Sequence, residues 1–169
     1  MKTKDITVTA MMAALVFAGT YFFKIPVPFG YCHLGDGMIL LTVILFGWKK
    51  GLGAGMIGAG LSDLLGGYTA WVIPTMLIKG GWVLILAFFL GKLGREKKAV
   101  WVLGSAAGGI FHIAAYSLVK LPLYGVEASL AELPFLIVQT ICGIIIGVAA
   151  AAAMYGTKAP FLHTMYRDS

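Results

Sequence analysis

Hydrophobic residues along this chain fall in long runs with few interruptions, separated by short polar, basic or proline-containing breaks. A helix needs about 20 apolar residues to cross the hydrocarbon of a bilayer, so the runs are read first as spans. Ile6 to Phe23 predicts a first helix. Lys24 and the segment Ile25-Pro26-Val27-Pro28-Phe29-Gly30 close it, because proline removes a backbone donor and turns the preceding residue away from helix. Tyr31 to Asp36 completes an aromatic and polar loop. Two shorter runs predict helices over Gly35 to Trp48 and Gly51 to Leu65, joined by the basic turn Trp48-Lys49-Lys50-Gly51. Both are short for a full span, which implies a locally thinned bilayer or, alternatively, a re-entrant hairpin. The later runs predict helices over Trp71 to Leu93, Ala99 to Val119 and Leu133 to Tyr155, with Pro74 tolerated in a first turn.

Composition turns these from candidate core helices into candidate membrane helices. The 169 residues are 60% hydrophobic and only 12% charged, whereas a soluble domain is about half apolar and about a quarter charged. The expectation is one integral membrane domain over residues 1–169, all-α, with six transmembrane helices in a cell membrane. The net charge of +6 does not point to nucleic acid, because the basic residues sit at helix ends and not on a polar domain. Their placement sets the orientation instead. With a cytoplasmic N-terminus, Lys2, Lys4, Lys49, Lys50, Lys92, Arg95, Lys97, Lys98, Lys158 and Arg167 fall inside, against Lys24 and Lys120 outside. That bias predicts both termini in the cytoplasm. No small-residue cleavage site follows the first run, so it is expected to remain as helix one. Cys32 and Cys142 lack the CxxC spacing of a metal or redox site and are expected to be unpaired.

The exceptions to apolarity are the candidate chemistry. An ionised side chain in hydrocarbon costs at least about 2.5 kcal/mol, so Asp36, Asp63 and Lys79 are expected to face a protein interior or a wet cavity. In the predicted orientation Asp63 lies within a turn of the outer surface, and Lys79 roughly 12 Å below it by the helical rise. His112 and Gln139 come to roughly 10 Å depth by the same rise. Polar groups therefore gather in the outer half, which predicts a pocket open to the outside. Tyr68, Trp71 and Trp82 lie nearby in sequence, and Tyr116 and His33 are further expected walls. Lys79 has two readings, a ligand-facing cation or a structural ion pair with Asp63 or Asp36. Asp36 has the additional reading of a helix N-cap.

Other patterns have simpler explanations. Gly53-Ala-Gly55-Met-Ile-Gly58 matches the letters of a dinucleotide fingerprint but lies in an apolar helix without the required strands, so close helix packing accounts for it. Ala10, Ala14 and Ala18 form a smooth stripe on one face of helix one, suited either to an intramolecular neighbour or to another membrane subunit. No HExxH, Walker motif or paired carboxylate constellation is present, so the chain is read as no enzyme and as needing no cofactor or metal.

His33-Leu34-Gly35-Asp36, Gly47-Trp48-Lys49-Lys50-Gly51, Gly58-Ala59-Gly60-Leu61-Ser62-Asp63-Leu64 and Ile78-Lys79-Gly80 together resemble the S components of energy-coupling factor (ECF) transporters. The likeness is to the riboflavin-transporter-like branch with pyridoxine and hydroxymethylpyrimidine members. It covers the six-helix plan and is densest from Gly30 to Gly94. It implies a vitamin-binding membrane subunit that associates with a T-type transmembrane subunit and two ATPases, docking through an AxxxA stripe that Ala10, Ala14 and Ala18 match. It also implies toppling in the membrane to release substrate inward. Pyridoxine or hydroxymethylpyrimidine suits the expected Tyr, Trp, Lys, His and Gln walls, with riboflavin next. The competing classes are a solitary secondary transporter, which an inverted repeat would favour, and a membrane-embedded enzyme.

Overall fold

The apolar runs become helices in a computed structural model that describes residues 3–27 and 30–156. Five helices form among the described residues: α1 (Thr3–Tyr21), α2 (Gly35–Phe46), α3 (Trp48–Leu65), α4 (Val72–Leu93) and α5 (Lys98–Gly156). A 3-10 turn, Thr69–Trp71, leads into α4. Apart from Asp36 and Thr42, helix α2 is apolar on every side, the mark of a buried helix. All its residues except Met38 are buried, and it packs against each of the other four helices. At 12 residues it is only about 18 Å long. It is the core of the bundle, centred on Ile39, Leu40, Val43 and Ile44.

The structure corrects the expected boundaries in three places. The proline-containing break after α1 is a small antiparallel hairpin, β1 (Ile25–Val27) with β2 (Gly30–Cys32), pairing Ile25 with Cys32 and Val27 with Gly30. Proline biases its predecessor toward extended backbone, so the same residues that stop the helix favour a strand. The fold is thus helical with one hairpin, not purely α. The corner between α2 and α3 is the single residue Gly47, at φ 93° and ψ 164°, a conformation that side chains rarely adopt. Trp48, Lys49 and Lys50 already form the first turn of α3, and Lys50 is buried there in an ion pair with Asp5 of α1 at 3.0 Å.

The third difference lies in α5. It is 59 residues long but is broken at Gly125, where φ is 86° and ψ 174°. The break divides it into arms 98–124 and 126–156, which pack side by side, with His112 Nδ1 2.9 Å from Thr140 Oγ1. A loop was expected from residue 120 to 132. Instead Val126-Glu-Ala-Ser-Leu-Ala-Glu-Leu133 is helical, as its strong helix formers allow. Ser129 Oγ donates to the Ser117 carbonyl across the break at 3.1 Å.

The outer faces of the helices remain apolar. Ile73, Leu77, Phe88, Ile110 and Ile145 are each more than 60% exposed, more apolar surface than a water-facing protein presents. Thr69–Leu93 and Lys98–Tyr155 are long and apolar enough to cross a bilayer by length and composition. Cys32 and Cys142 are free thiols.

The glycine motif of α3 is packing surface. A Cβ on Gly58 would lie 2.6 Å from the Ala13 carbonyl and 2.8 Å from Val16 Cβ, so α1 and α3 touch there backbone to backbone. Gly58→Leu is expected to destabilise the protein by about 1–3 kcal/mol through overpacking. Gly91, exposed and with nothing near its Cβ position, should accept leucine with no loss. Unfolding in detergent of the two variants checks this, and equal stability would refute the packing role.

Candidate functional site

Asp36 sits in the first turn of α2 and Lys79 within α4, and neither has any exposed surface. Lys79 Nζ is 2.6 Å from Asp36 Oδ1 and 2.8 Å from His112 Nε2. His112 Nδ1 is 2.9 Å from Thr140 Oγ1, and the Thr140 hydroxyl donates to the Leu136 carbonyl at 2.7 Å. Because that hydroxyl has spent its hydrogen, its oxygen accepts from His112 Nδ1–H, which leaves Nε2 as the acceptor for the Lys79 ammonium. Gln139 Nε2 donates to Asp36 Oδ2 at 2.9 Å and lies 3.3 Å from His33 Nε2. The Tyr116 and Trp82 rings face the ammonium at 5.2 and 5.8 Å. The cluster joins α2, α4 and both arms of α5. Two buried charges persist because each is paired and also hydrogen-bonded. The 126–156 arm comes close enough because Gly143 lies against Asp36, where a Cβ would be 2.8 Å from that of the aspartate.

Beside this cluster is a cavity open at one side. Its aromatic walls are Tyr31, Tyr68, Trp71 and Tyr116, and its polar walls are Thr20, His33, Asp63, Thr75, Lys120, Glu132 and Gln139, with Leu136. Trp71 stacks on Tyr116 at 5.6 Å and on Tyr124 at 6.1 Å, and its Nε1 donates to the Tyr124 hydroxyl at 3.1 Å. Tyr116 in turn donates to Thr75 Oγ1 at 3.0 Å. The hairpin closes the opposite side: the Tyr31 hydroxyl donates to Asp63 Oδ1, and Tyr31 packs on Tyr68 at 4.9 Å. Lys24 holds the hairpin to the end of α3, with its ammonium over the rings of Tyr21, Tyr31 and Tyr68 and 3.5 Å from the Ser62 carbonyl. Lys120 and Glu132 form an ion pair across the Gly125 break. Burial and the neighbouring Asp63 carboxylate push the Tyr31 hydroxyl well above the usual phenol range, so it stays a donor. Burial pushes His33 down to about 4, so its imidazole is neutral at physiological pH.

Of the residues singled out from sequence, Tyr116, Gln139, Asp63, Tyr68 and His33 line the cavity. Lys79, His112 and Trp82 lie beneath it in the buried cluster, where Trp82 Nε1 donates to the Ser105 carbonyl at 3.0 Å and its ring packs on His112 at 4.5 Å. The geometry makes Asp36, not Asp63, the partner of Lys79. Tyr31, Lys120 and Glu132 were not anticipated, although two opposite charges in an otherwise apolar stretch were a signal for the last two. On the far side of α1, Ala10 and Ala14 are exposed and line a separate apolar groove with Ile6, Thr9, Ala13, Phe17, Ile57 and Leu61. Ala18 is half-buried and lies beyond it.

Residues 1–156 match the family of the ECF-type riboflavin transporter S component. An uncharacterised protein from the gap 3′ region of Pyrococcus woesei is 37% identical over 142 residues, 84% of this chain and 88% of that protein. The solved S component of a bacterial ECF transporter has the same fold, with a TM-score of 0.75 over 93% of this chain and 98% of that one, at 20% identity.

Removing one partner of a buried pair strands the other charge, which costs about 3–5 kcal/mol. Lys79→Met should therefore lower stability by that amount, while Asp36→Asn combined with Lys79→Met should recover most of the loss. Chemical unfolding in detergent of wild type, both single variants and the double variant measures the coupling. Additive losses would show that the two residues do not stabilise each other.

Proposed function

Since this chain belongs to the family of the S component of ECF-type riboflavin transporters, membrane proteins of vitamin uptake, we propose that the aromatic cavity is its vitamin site. The favoured ligands are pyridoxine or hydroxymethylpyrimidine, with riboflavin next. The observation that carries this reading is the wall itself: four aromatic rings beside Gln139, His33 and Asp63 in one space. Heteroaromatic rings stack on such faces, and a few convergent polar groups orient them. Tyr116, Gln139, Asp63, Tyr68 and His33 contact the ligand in this reading, and Lys79, His112 and Trp82 hold those contacts in position from below.

The orientation that fits uptake is six spans with both termini cytoplasmic, the two arms of α5 counting as separate spans. Support comes from the distribution of charge over the bundle. The cavity is built from the end of α1, the last turn of α3, the start of α4 and the segments flanking Gly125. Lys49, Lys50, Lys92, Arg95, Lys97 and Lys98 sit at the other ends of these helices, where a cytoplasmic face is expected. A T-type subunit and two ATPases complete the transporter, and the groove along Ala10 and Ala14, continued by Ala18, is the docking face. Small residues there allow close helix approach, and the groove is separate from the cavity.

Two experiments test this. A cysteine at Lys97, introduced after Cys32 and Cys142 are replaced, should resist an impermeant thiol reagent in intact cells. Labelling from outside would overturn the orientation. Ala14→Leu should bind vitamin as wild type does but abolish uptake in cells that express the other subunits. Full uptake would remove the stripe from the docking face, and lost affinity would place it in the ligand site.

A further inference from the structure

A buried acceptor without a donor is unfavourable, so the unsatisfied oxygens of a cavity describe what a ligand must bring. Three residues that line this wall each hold a buried oxygen without a hydrogen-bond partner: Thr20 Oγ1, Asp63 Oδ2 and Glu132 Oε1. Their residues are 1%, 3% and 3% exposed. They come from three different elements, α1, α3 and the 126–156 arm of α5. Two belong to carboxylates, which only accept when ionised. In each carboxylate the other oxygen is already engaged, Asp63 Oδ1 by the Tyr31 hydroxyl and Glu132 Oε2 by the Lys120 ammonium. The two open carboxylate oxygens thus ask for hydrogens, while the Thr20 hydroxyl can donate or accept.

The same wall offers no unpaired cation to an anion. Lys120 is bound to Glu132, and Lys79 is bound to Asp36 beneath the surface. Lys24 is outside the lining, turned to three tyrosine rings and the Ser62 carbonyl. Against one already paired ammonium the wall carries two carboxylates. A phosphate ester, with a charge of about −1.5 to −2 at neutral pH, would meet two like charges and no free cation.

We infer that the site selects a heteroaromatic ligand that presents hydroxyl or amino hydrogens to Asp63 and Glu132 and carries no anionic group, so that phosphate esters of the vitamin are rejected. The inference deepens the vitamin reading of the cavity and rests on it. The Lys120–Glu132 pair is then a specificity device: it fills the one cation at the wall so that phosphate cannot recruit it.

Calorimetric titration of the purified full-length protein in detergent with riboflavin, pyridoxine and hydroxymethylpyrimidine, each beside its own monophosphate ester, tests this. Whichever parent compound binds, its ester should bind at least about 100-fold more weakly. Glu132→Gln removes a like charge and releases Lys120, and should narrow that gap at least about tenfold. If the released lysine prevents folding, Lys120→Met combined with Glu132→Gln strands no charge and should still narrow the gap. Asp63→Asn should weaken the parent compound more than the ester, because one acceptor of its hydrogens is lost. An ester that binds as well as its parent, or a gap that no variant changes, overturns the inference and leaves the vitamin reading intact. If none of the six compounds binds, the vitamin reading falls and the inference falls with it.

Discussion

The ion pair between Asp36 and Lys79 is the constraint around which the bundle is arranged. Both charges are fully buried, and one cannot lose the other without stranding a charge in an apolar interior. Satisfying the pair requires α2 and α4 in a fixed register. Satisfying the remaining hydrogen-bonding capacity of the lysine and the aspartate draws in His112 from one arm of α5, and Gln139 from the other, with Thr140 anchoring the histidine. Apolar side chains can repack in several ways without leaving a polar group unsatisfied, whereas the hydrogen bonds of this polar junction require their partners in place. The apolar contacts of α2 supply the driving force, and the junction selects one packing among many.

The cavity is a consequence of the same junction. Gln139 belongs to both, since its amide binds Asp36 and it also lines the open space. Tyr116 faces the Lys79 ammonium and stacks on Trp71 at the wall. The layer that lines the cavity therefore rests on a buried layer whose geometry is fixed by charge. Around the mouth, different devices act. Lys24 and Tyr31 tie the hairpin to the end of α3, and the Lys120–Glu132 pair with the Ser129–Ser117 bond ties the two sides of the Gly125 break. These contacts lie at chain breaks, where structure is least supported by packing.

The two ends and the two faces of the bundle divide the work in the function proposed for the chain. One end carries the cavity, and the opposite end carries the basic residues of α3, α4 and α5. The groove between α1 and α3 faces outward, with no residue in common with the cavity. A surface that shares no side chain with the ligand site can dock a partner without altering the walls that hold the ligand. That separation suits a subunit that captures substrate alone and relies on others for energy.

Helical runs, the hydrophobic exterior and the identity of the unusual polar residues were legible in the sequence, because each depends on local composition or on period. Asp36, Lys79, His112 and Gln139 stood out for the same reason: a polar group in a long apolar run is conspicuous without knowledge of its neighbours. The family resemblance was carried by short contiguous motifs and was likewise readable. What no local pattern contains is pairing. Asp36 and Asp63 were both candidate partners of Lys79, and only the packing of α2 against α4 and α5 decided between them. The hairpin at Ile25–Val27 and Gly30–Cys32 was hidden because the prolines that end a helix read as loop until a second strand lies beside the first. The helical stretch around Glu132 lies between the apolar runs that mark the helices, and the pair that buries Glu132 forms only when Lys120 is brought across the Gly125 break. Chemistry along the chain is a property of residues, whereas which groups are buried together is a property of long-range contacts, and the latter divided the polar residues between a structural junction and the wall of a cavity.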